Sequence, residues 1–222
     1  MIRGVIFDLD GVLVTTDELH YEAWKRLAEE EGIPYDRTVQ DRQRGVSRME
    51  SLEAMLEGTG RAYTAEQKTE MAERKNTYYG RLVENLTPAA LLPGAMGMLR
   101  ALRRRGVKVA IASASKNTRT ILERTGLAGK ADAVVDGHDI TRSKPDPEIC
   151  LIAAERLGLE PAECLVVEDA PAGIEAGRRA GMAVFGVGRR EVLPDVKHFA
   201  PDLAKVTPEG LLAAGEDISR QR

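Results

Sequence analysis

The chain has few cysteines, few aromatic residues and no long apolar run. Its two cysteines, Cys150 and Cys164, lie in apolar surroundings without metal-ligand spacing. We therefore expect buried thiols and not a disulfide or a nucleophile. No apolar run approaches the ~20 residues that a membrane span needs. The first apolar strand pattern follows directly after Met1-Ile2-Arg3-Gly4, which leaves no room for a secretory signal before it, so we expect a cytoplasmic protein.

Neither sign of charge dominates the chain. Lysine and arginine number 32 against 35 aspartates and glutamates, and the net charge of -3 gives no reason to expect a nucleic acid or a membrane as a partner. With 43% hydrophobic and 30% charged residues, the composition excludes a disordered chain. A length of 222 residues allows one large core with an inserted module, or two modest domains. Nothing in the sequence points to an oligomer interface, so we expect a monomer.

An apolar run near the N-terminus, Val5 to Leu13, is interrupted by Asp8 and Asp10 and then by Gly11. If this run is a strand, side chains at i and i+2 leave the same face about 6.6 Å apart. Carboxylates are costly to bury unless they are paired or bind a metal, so the run predicts a polar pocket that holds a cation. The alternative is an ordinary strand that ends in an Asp-Gly turn, and this stretch alone does not decide between the two.

Helical patterns fill the segment that follows. No strand pattern occurs before about Leu86, and Thr16 and Asp17 are plausible caps for the first helix. The prolines of Thr87 to Gly94 indicate a return linker. We predict a helical cap domain over residues 16–88, with amphipathic helices at Glu18 to Glu31, Ser51 to Glu57 and Ala65 to Tyr79.

Beyond Gly94 the pattern alternates between helices and short apolar strands, which is typical of a parallel sheet covered on both faces. The sequence therefore predicts an α/β fold, with a Rossmann-type core formed by residues 1–15 and 89–222 and the cap inserted after the first strand. The predicted strands after the cap are Val107 to Ala112, Ala133 to Val135, Leu165 to Val167 and Ala183 to Val187.

Three arginines, Arg103, Arg104 and Arg105, end the helix predicted from Ala95. Cations are favourable at the C-terminus of a helix, because the helix dipole is negative there. We interpret these arginines as residues that stabilise the helix end. An anion site is the weaker alternative.

Polar side chains gather where the predicted strands end. Asp8 and Asp10 end the first strand, Ser113 ends the second and Glu168-Asp169 ends the fourth, while Lys144 follows the third. In open α/β sheets the ligand lies at this edge, so the sequence predicts one site built from all of them. Each has a structural alternative: Ser113 and Asp169 could cap helices, and Lys144 could be a surface lysine. Their joint placement favours the site.

These motifs, in this order, resemble the haloacid dehalogenase (HAD) superfamily of phosphotransferases over essentially the whole chain. The resemblance implies a HAD-like core in which Asp8 is the nucleophile and Asp10 the general acid and base. Ser113 and Lys144 would bind the transferring phosphoryl group, because that group needs fixed donors and positive charge around its oxygens. Mg²⁺ would be held by Asp8, the Asp10 backbone carbonyl and Asp169, with Glu168 in support.

The segment predicted as the cap carries His20, Trp24, the run Gly45-Val46-Ser47-Arg48 and the run Arg74-Lys75-Asn76. Within the superfamily, these cap motifs resemble the β-phosphoglucomutase family. This implies an isomerase that interconverts β-glucose 1-phosphate and glucose 6-phosphate through β-glucose 1,6-bisphosphate. Arg48 resembles the residue that grips the distal phosphate, and Arg44 is a departure, since the family pattern usually has lysine there. The substrate contacts implied are Thr16, His20, Arg44, Gly45, Val46, Ser47, Arg48, Ser51, Lys75, Ala114, Ser115, Lys116 and Asn117.

Two other functions remain open from the sequence. A sugar-phosphate phosphatase would use the same core residues, with water in place of the second sugar hydroxyl. A binding module without catalysis is disfavoured by the complete set of carboxylates, serine and lysine. A closed lid that carries Arg48 and Lys75 favours a sugar acceptor, because closure expels water.

Overall fold

A computed structural model describes residues 1–43 and 46–220, so the predictions for Arg44 and Gly45 lie outside the described residues. A parallel sheet with the strand order β3-β2-β1-β4-β5-β6 forms the core. This confirms the predicted α/β fold. The strands are β1 (Gly4–Phe7), β2 (Lys108–Ala112), β3 (Ala133–Val135), β4 (Cys164–Glu168), β5 (Ala183–Val187) and β6 (Phe199–Ala200).

Helices cover both faces of the sheet, which is why its strands are apolar almost throughout. Helices α5 (Ala95–Arg104) and α9 (Pro208–Arg220) pack on one face, and α7 (Glu148–Leu157) and α8 (Pro171–Arg179) on the other. Consecutive β1 side chains alternate accordingly: Val5 and Phe7 join one apolar cluster and Ile6 the other. Both cysteines are free and buried, as expected. None of the described helices is long and apolar enough to cross a bilayer.

The first strand is shorter than the apolar run predicts. It ends at Phe7, and the chain then folds into a tight turn in which Gly11 N donates to Val14 O at 2.8 Å. Gly11 has a φ of +83°, and a Cβ atom there would collide with the Asp169 carboxylate. The prediction that the strand extends to Asp8 and Asp10 is therefore wrong, and the Asp-Gly turn that the sequence left open as an alternative follows the strand.

Four helices form the segment predicted as the cap: α1 (Asp17–Glu31), α2 (Arg37–Arg42), α3 (Arg48–Leu56) and α4 (Ala65–Val83). They enclose a separate apolar cluster that includes Trp24, Leu27 and Leu52. Ser47 and Thr64 begin α3 and α4 with capping boxes, and α1 ends at Gly32 in the left-handed conformation. The sequence did not predict α2, which is a single short helix.

The two chain segments that join cap and core run side by side. Thr15 N donates to Ala90 O and Leu92 N donates to Leu13 O, both at 2.9 Å. A short 3₁₀ helix, Pro88–Ala90, occupies the predicted linker. Tyr79 and Val83 of α4 join the apolar cluster of the core, so the two units share packing at this crossing. The division at residues 15/16 and 88/89 stays a prediction.

Candidate active site

A buried lysine joins two strand ends. Lys144 lies in the loop before α7, and its Nζ donates to Asp8 Oδ1 at 2.6 Å and also to Glu168 Oε1. Strands β1 and β4 are neighbours, with Phe7 opposite Val167, so Asp8 and Glu168 leave the sheet together. The side chains of Lys144, Asp8 and Glu168 are only 15%, 12% and 2% exposed. The alternative of a surface lysine is therefore wrong.

Three carboxylates converge at this point. Asp8, Glu168 and Asp169 each place one oxygen within 4.8 Å of the others. Burial raises the pKa of Asp8 and of Asp169, and the neighbouring carboxylates raise both pKa values further, while Lys144 opposes the shift. Burial lowers the pKa of Lys144, but its two carboxylate partners outweigh burial and raise it above the ordinary value. If all three acids were ionised, one ammonium would leave an excess of negative charge, which a bound cation would offset.

The hydrogen bonds show which of the three acids has carboxylate oxygens left to bind a ligand. Glu168 gives one oxygen to Lys144, and its other oxygen accepts from the backbone N–H groups of Asp169 and Ala170 at 2.9 and 3.0 Å. In the described part of the chain, no hydrogen bond to the Asp169 carboxylate occurs. An all-oxygen, acid-rich set of this kind fits a hard divalent cation. Asp8 and Asp169 could hold such a cation, with Glu168 behind them.

Asp10 belongs to a different set of contacts. Thr16 Oγ1 donates to Asp10 Oδ1, and the Tyr79 hydroxyl donates to Thr16 Oγ1 at 3.2 Å. Burial raises the pKa of Asp10 to about 6, against the hydrogen bond from Thr16. Thr16 is the N-cap residue of α1, as predicted, but its side chain makes no capping hydrogen bond. Its hydroxyl donates to Asp10 and accepts from Tyr79 instead. Its position links Asp10 to the cap helices.

The cap contributes buried cationic groups. Lys75 Nζ lies 2.9 Å from His20 Nδ1, and it also lies over the rings of Trp24 and Tyr79, at 5.0 and 4.7 Å from their centroids. The His20 ring stacks on Tyr79. Burial lowers the pKa of Lys75 to about 7, and the positive charge of Arg48 lowers it further, although Asp10 opposes this. Burial lowers the pKa of His20 well below its ordinary value, with Lys75 and Arg48 adding to the effect.

The loop after β2 carries the predicted serine. Ser113 is buried, and its hydroxyl accepts from Ser115 N at 3.3 Å. Helix α6 (Thr118–Thr125) begins further on, with Asn117 as its N-cap residue, so Ser113 does not cap it. Asp169 likewise does not cap α8, whose N-cap residue is Ala170. Ala114 and Lys116 of the same loop are exposed.

One hydrogen bond joins this loop to the cap. Asn117 Nδ2 donates to Asn76 Oδ1 on α4 at 3.3 Å. Asn76 follows Lys75, so the same helix that supplies the cap cation also touches the loop of Ser113.

Other predicted substrate contacts lie on α3 or just before it. The Ser47 hydroxyl accepts from Glu50 N at 3.3 Å and so serves to begin the helix. Ser51 is buried, and Val46 is 43% exposed. Burial lowers the pKa of Arg48, whose charge reaches Lys75 and His20. Among the described residues, no hydrogen bond joins these four side chains to Asp8, Lys144 or Glu168.

Tyr79 is the site residue that sequence reasoning missed. Its hydroxyl is bonded to Thr16 and its ring carries His20 and Lys75. The available signal was spacing, because Lys75 and Tyr79 are four residues apart on one helix and so share a face.

Three features together indicate a phosphoryl-transfer protein: the order of the sheet, the acids at the strand ends and the helical unit inserted after the first strand. The chain matches the family model of haloacid dehalogenase-like hydrolases over residues 2–181 and belongs to that family.

Two curated relatives and one solved structure narrow the comparison. The chain is 44% identical to β-phosphoglucomutase of Bacillus subtilis over 190 residues, which cover 85% of this chain and 84% of the relative. It is 34% identical to the phosphorylated carbohydrates phosphatase of Thermotoga maritima over 224 residues, covering 98% and 100% of the two chains. The crystal structure of β-phosphoglucomutase from Clostridium difficile is similar with a TM-score of 0.90 at 36% identity, covering 98% of this chain and 99% of that one.

Proposed function

We propose that this protein is a β-phosphoglucomutase, an isomerase that interconverts β-glucose 1-phosphate and glucose 6-phosphate through β-glucose 1,6-bisphosphate. The observation that carries the proposal is the set of contacts around Asp10. Asp10, the group proposed as acid and base, accepts from Thr16 at the crossing into the cap, and Thr16 in turn accepts from Tyr79 on α4. The likeness to β-phosphoglucomutases over most of the chain supports the same function. As predicted from the sequence, it is expected to act as a cytoplasmic monomer.

In the proposed reaction Asp8 is the nucleophile. From the bisphosphate, an Asp8 carboxylate oxygen forms a bond to the C1 phosphorus, the bond from that phosphorus to the C1 oxygen breaks, and Asp10 gives its proton to the C1 oxygen, which releases glucose 6-phosphate. In the other half, the C6 hydroxyl of β-glucose 1-phosphate attacks the aspartyl phosphate, the bond from phosphorus to Asp8 breaks and Asp10 takes the hydroxyl proton, which restores the bisphosphate and frees Asp8. A pKa of about 6 suits Asp10 for both directions near neutral pH. Lys144, already bonded to Asp8, and Ser113 would balance the charge on the phosphoryl oxygens.

Mg²⁺ is the proposed metal, because the donors are oxygens and the group to be transferred is a phosphate. Asp8, the Asp10 carbonyl and Asp169 would hold it, with Glu168 fixed behind them by its backbone hydrogen bonds. When bound, Mg²⁺ would offset the negative charge of the carboxylates and of the phosphoryl group.

The cap, residues 16–88 in this proposal, would hold the part of the substrate that does not react. Arg48, Lys75 and His20 carry positive charge or hydrogen-bonding nitrogen into one buried region, and the cations repel one another there. A phosphate would relieve that repulsion, and an arginine suits it because its planar fork donates two parallel hydrogen bonds. The further proposed contacts are Thr16, Arg44, Gly45, Val46, Ser47, Ser51, Ala114, Ser115, Lys116 and Asn117.

A sugar-phosphate phosphatase is the second candidate, supported by the likeness to the Thermotoga maritima enzyme over nearly the whole chain. Both activities need the same core residues. They differ in what accepts the phosphoryl group from Asp8: a sugar hydroxyl or water.

The deciding experiment supplies β-glucose 1-phosphate, Mg²⁺ and a trace of β-glucose 1,6-bisphosphate, and follows glucose 6-phosphate against free phosphate. The mutase predicts glucose 6-phosphate as the main product, with dependence on the bisphosphate. Dominant release of free phosphate would favour the phosphatase, and the absence of any turnover would favour a binding module.

A further inference from the structure

A basic cleft lies at the amino ends of the strands, at the edge of the sheet opposite the candidate active site. It has a volume of about 660 Å³ and is lined by the last turns of α5 and α7 and by the first residue of β2. Asp132 is the acid among the lining residues that the structure describes. The cations of the cleft are Arg100, Arg103, Arg104, Lys108, Lys130 and Arg156.

Half of these cations are held by the protein itself. Arg103 donates to Asp132 Oδ1 at 3.1 Å and to Gly129 O at 3.3 Å. Lys108 Nζ donates to Leu157 O, and Arg156 pairs with Asp139 at 2.7 Å. In residues 1–43 and 46–220, no carboxylate pairs with Arg100, Arg104 or Lys130. The cleft therefore has fixed cations along its wall and free cations at its opening.

Stabilisation of helix ends accounts for only part of this charge. The C-termini of α5 and α7 each carry the equivalent of about half a negative charge. Together with Asp132 and with Asp139, which pairs with Arg156, they offset about three of the six lining cations. The cleft keeps an excess of positive charge on a protein whose net charge is -3. Arg105, the third arginine of the run, is not needed to explain the cleft, because it pairs with Glu209 away from it.

We propose that this cleft binds a small anion that carries at least two phosphate groups. Arginine forks donate paired hydrogen bonds to phosphate oxygens, and cations on several walls of one cleft suit a ligand with more than one phosphate. Val107, which is half-buried, adds apolar surface for a carbon body. The site is separate from the active site, because β2 runs from Lys108 in the cleft to Ala112, just before Ser113, a distance of about 17 Å.

The test is a calorimetric titration of the metal-free full chain with tripolyphosphate and, in parallel, with inorganic phosphate. The cleft variant is Arg100→Gln with Arg104→Gln. The matched control is Arg124→Gln with Arg178→Gln, which removes two exposed arginines from the ends of α6 and α8 outside the cleft. All these side chains are exposed, so the variants should unfold at the temperature of the parent.

We expect tripolyphosphate to bind at least tenfold more tightly than inorganic phosphate. The cleft variant should bind tripolyphosphate about 10- to 100-fold more weakly, and the control within twofold of the parent. Glucose 6-phosphate formation in the absence of tripolyphosphate should be the same in all three proteins, so this test is independent of the proposed function.

Several outcomes would overturn the proposal. Equal affinities for the two phosphates would remove the requirement for more than one phosphate group. Equal affinity of parent and cleft variant for tripolyphosphate would place the binding site elsewhere, for example at the active site. An equal loss of affinity in the control variant would show that binding depends on the overall charge of the protein and not on the cleft. Tighter binding of a short DNA duplex than of tripolyphosphate, with the same dependence on the cleft variant, would assign the cleft to nucleic acid instead.

Discussion

The carboxyl edge of the sheet and the cap carry buried ionisable groups of opposite charge type, acids on the sheet and bases on the cap. The sheet edge gathers Asp8, Glu168 and Asp169 around one lysine, and the carboxylates raise the pKa values of Asp8 and Asp169. The cap brings Arg48 and Lys75 close enough for the pKa of Lys75 to fall to about 7. If these groups are all ionised, each side alone holds an excess of one sign of charge in a buried place, which is costly and shifts these pKa values toward the neutral forms. The contrast indicates that a cation belongs on the sheet side and an anion on the cap side.

The two regions also differ in how their side chains are fixed. Strand register and backbone hydrogen bonds set the acids of the sheet edge. The cap groups are set by helix packing, through contacts such as the stacking of His20 on Tyr79. We infer that the sheet edge supplies the chemistry common to mutase and phosphatase, while the cap selects the acceptor. The variants below test this division from the largest expected effect to the smallest.

Removing the proposed nucleophile should abolish both activities equally. Asp8→Asn is expected to lower glucose 6-phosphate formation and free phosphate release by about 10⁴-fold or more, because an amide cannot accept the phosphoryl group. The melting temperature should not fall, since burial already disfavours the Asp8 carboxylate in the folded protein. Steady-state kinetics and thermal unfolding measure the two effects. Turnover at the parent rate would end the assignment.

Removing the lysine of the sheet edge should cost both activity and stability. Lys144→Met leaves Asp8 and Glu168 buried without their cation, so we expect the metal-free protein to lose about 3 kcal/mol of unfolding free energy. Both activities should fall by about 10²- to 10³-fold. Added Mg²⁺ should restore part of the lost stability.

The control is Lys205→Met, which changes an exposed lysine and should shift the unfolding free energy by less than about 0.5 kcal/mol. Denaturant unfolding with and without Mg²⁺ provides the comparison. If Lys144→Met unfolds like Lys205→Met, the bridge between the two strands does not stabilise the protein.

A cap variant should change the ratio of products instead of lowering both together. Lys75→Met keeps the apolar stem against Trp24 and Tyr79 but removes the ammonium beside His20. We expect glucose 6-phosphate formation to fall about 10- to 100-fold while free phosphate release falls less, because a loosely closed cap admits water. The measurement is the ratio of the two products.

Lys68→Met is the control on the same helix, because Lys68 pairs with Glu53 at the cap surface. Its product ratio should stay within twofold of the parent. An equal fall of both products in Lys75→Met, as predicted for Lys144→Met, would contradict the division between sheet edge and cap.

The same two regions differ in how far they could be predicted from the sequence. The residues of the sheet edge could be predicted, because the fold follows from alternating apolar segments and parallel strands must end at one edge. Asp8, Ser113, Glu168 and Asp169 could thus be placed at one edge without coordinates. Because Lys144 lies in a loop, the sequence did not indicate where its side chain points. Only the structure shows its hydrogen bonds to Asp8 and Glu168.

The contacts of the cap were harder to predict, because helix periodicity shows which residues share a face but not which residues that face packs against. Thr16 illustrates this. It is the N-cap residue of α1, as its place in the sequence predicted, yet its hydroxyl makes no capping bond and donates to Asp10, which follows the end of β1. The turn at Gly11 also ended β1 earlier than the apolar run indicated. Tyr79 was missed for the same reason, since its partners come from α1 and the crossing.

The smallest expected effect concerns the hydrogen bond that joins the two regions, from Asn117 Nδ2 to Asn76 Oδ1. Asn76→Ala removes the acceptor, and a neutral hydrogen bond contributes about 0.5–1.5 kcal/mol, so we expect KM for β-glucose 1-phosphate to rise about two- to twelvefold with little change in kcat. Asn76→Asp keeps an acceptor oxygen at the same place and should remain closer to the parent. A fall in kcat equal to that of Lys75→Met would mean that this contact orients reacting groups. No change in either constant would mean that the cap closes without it.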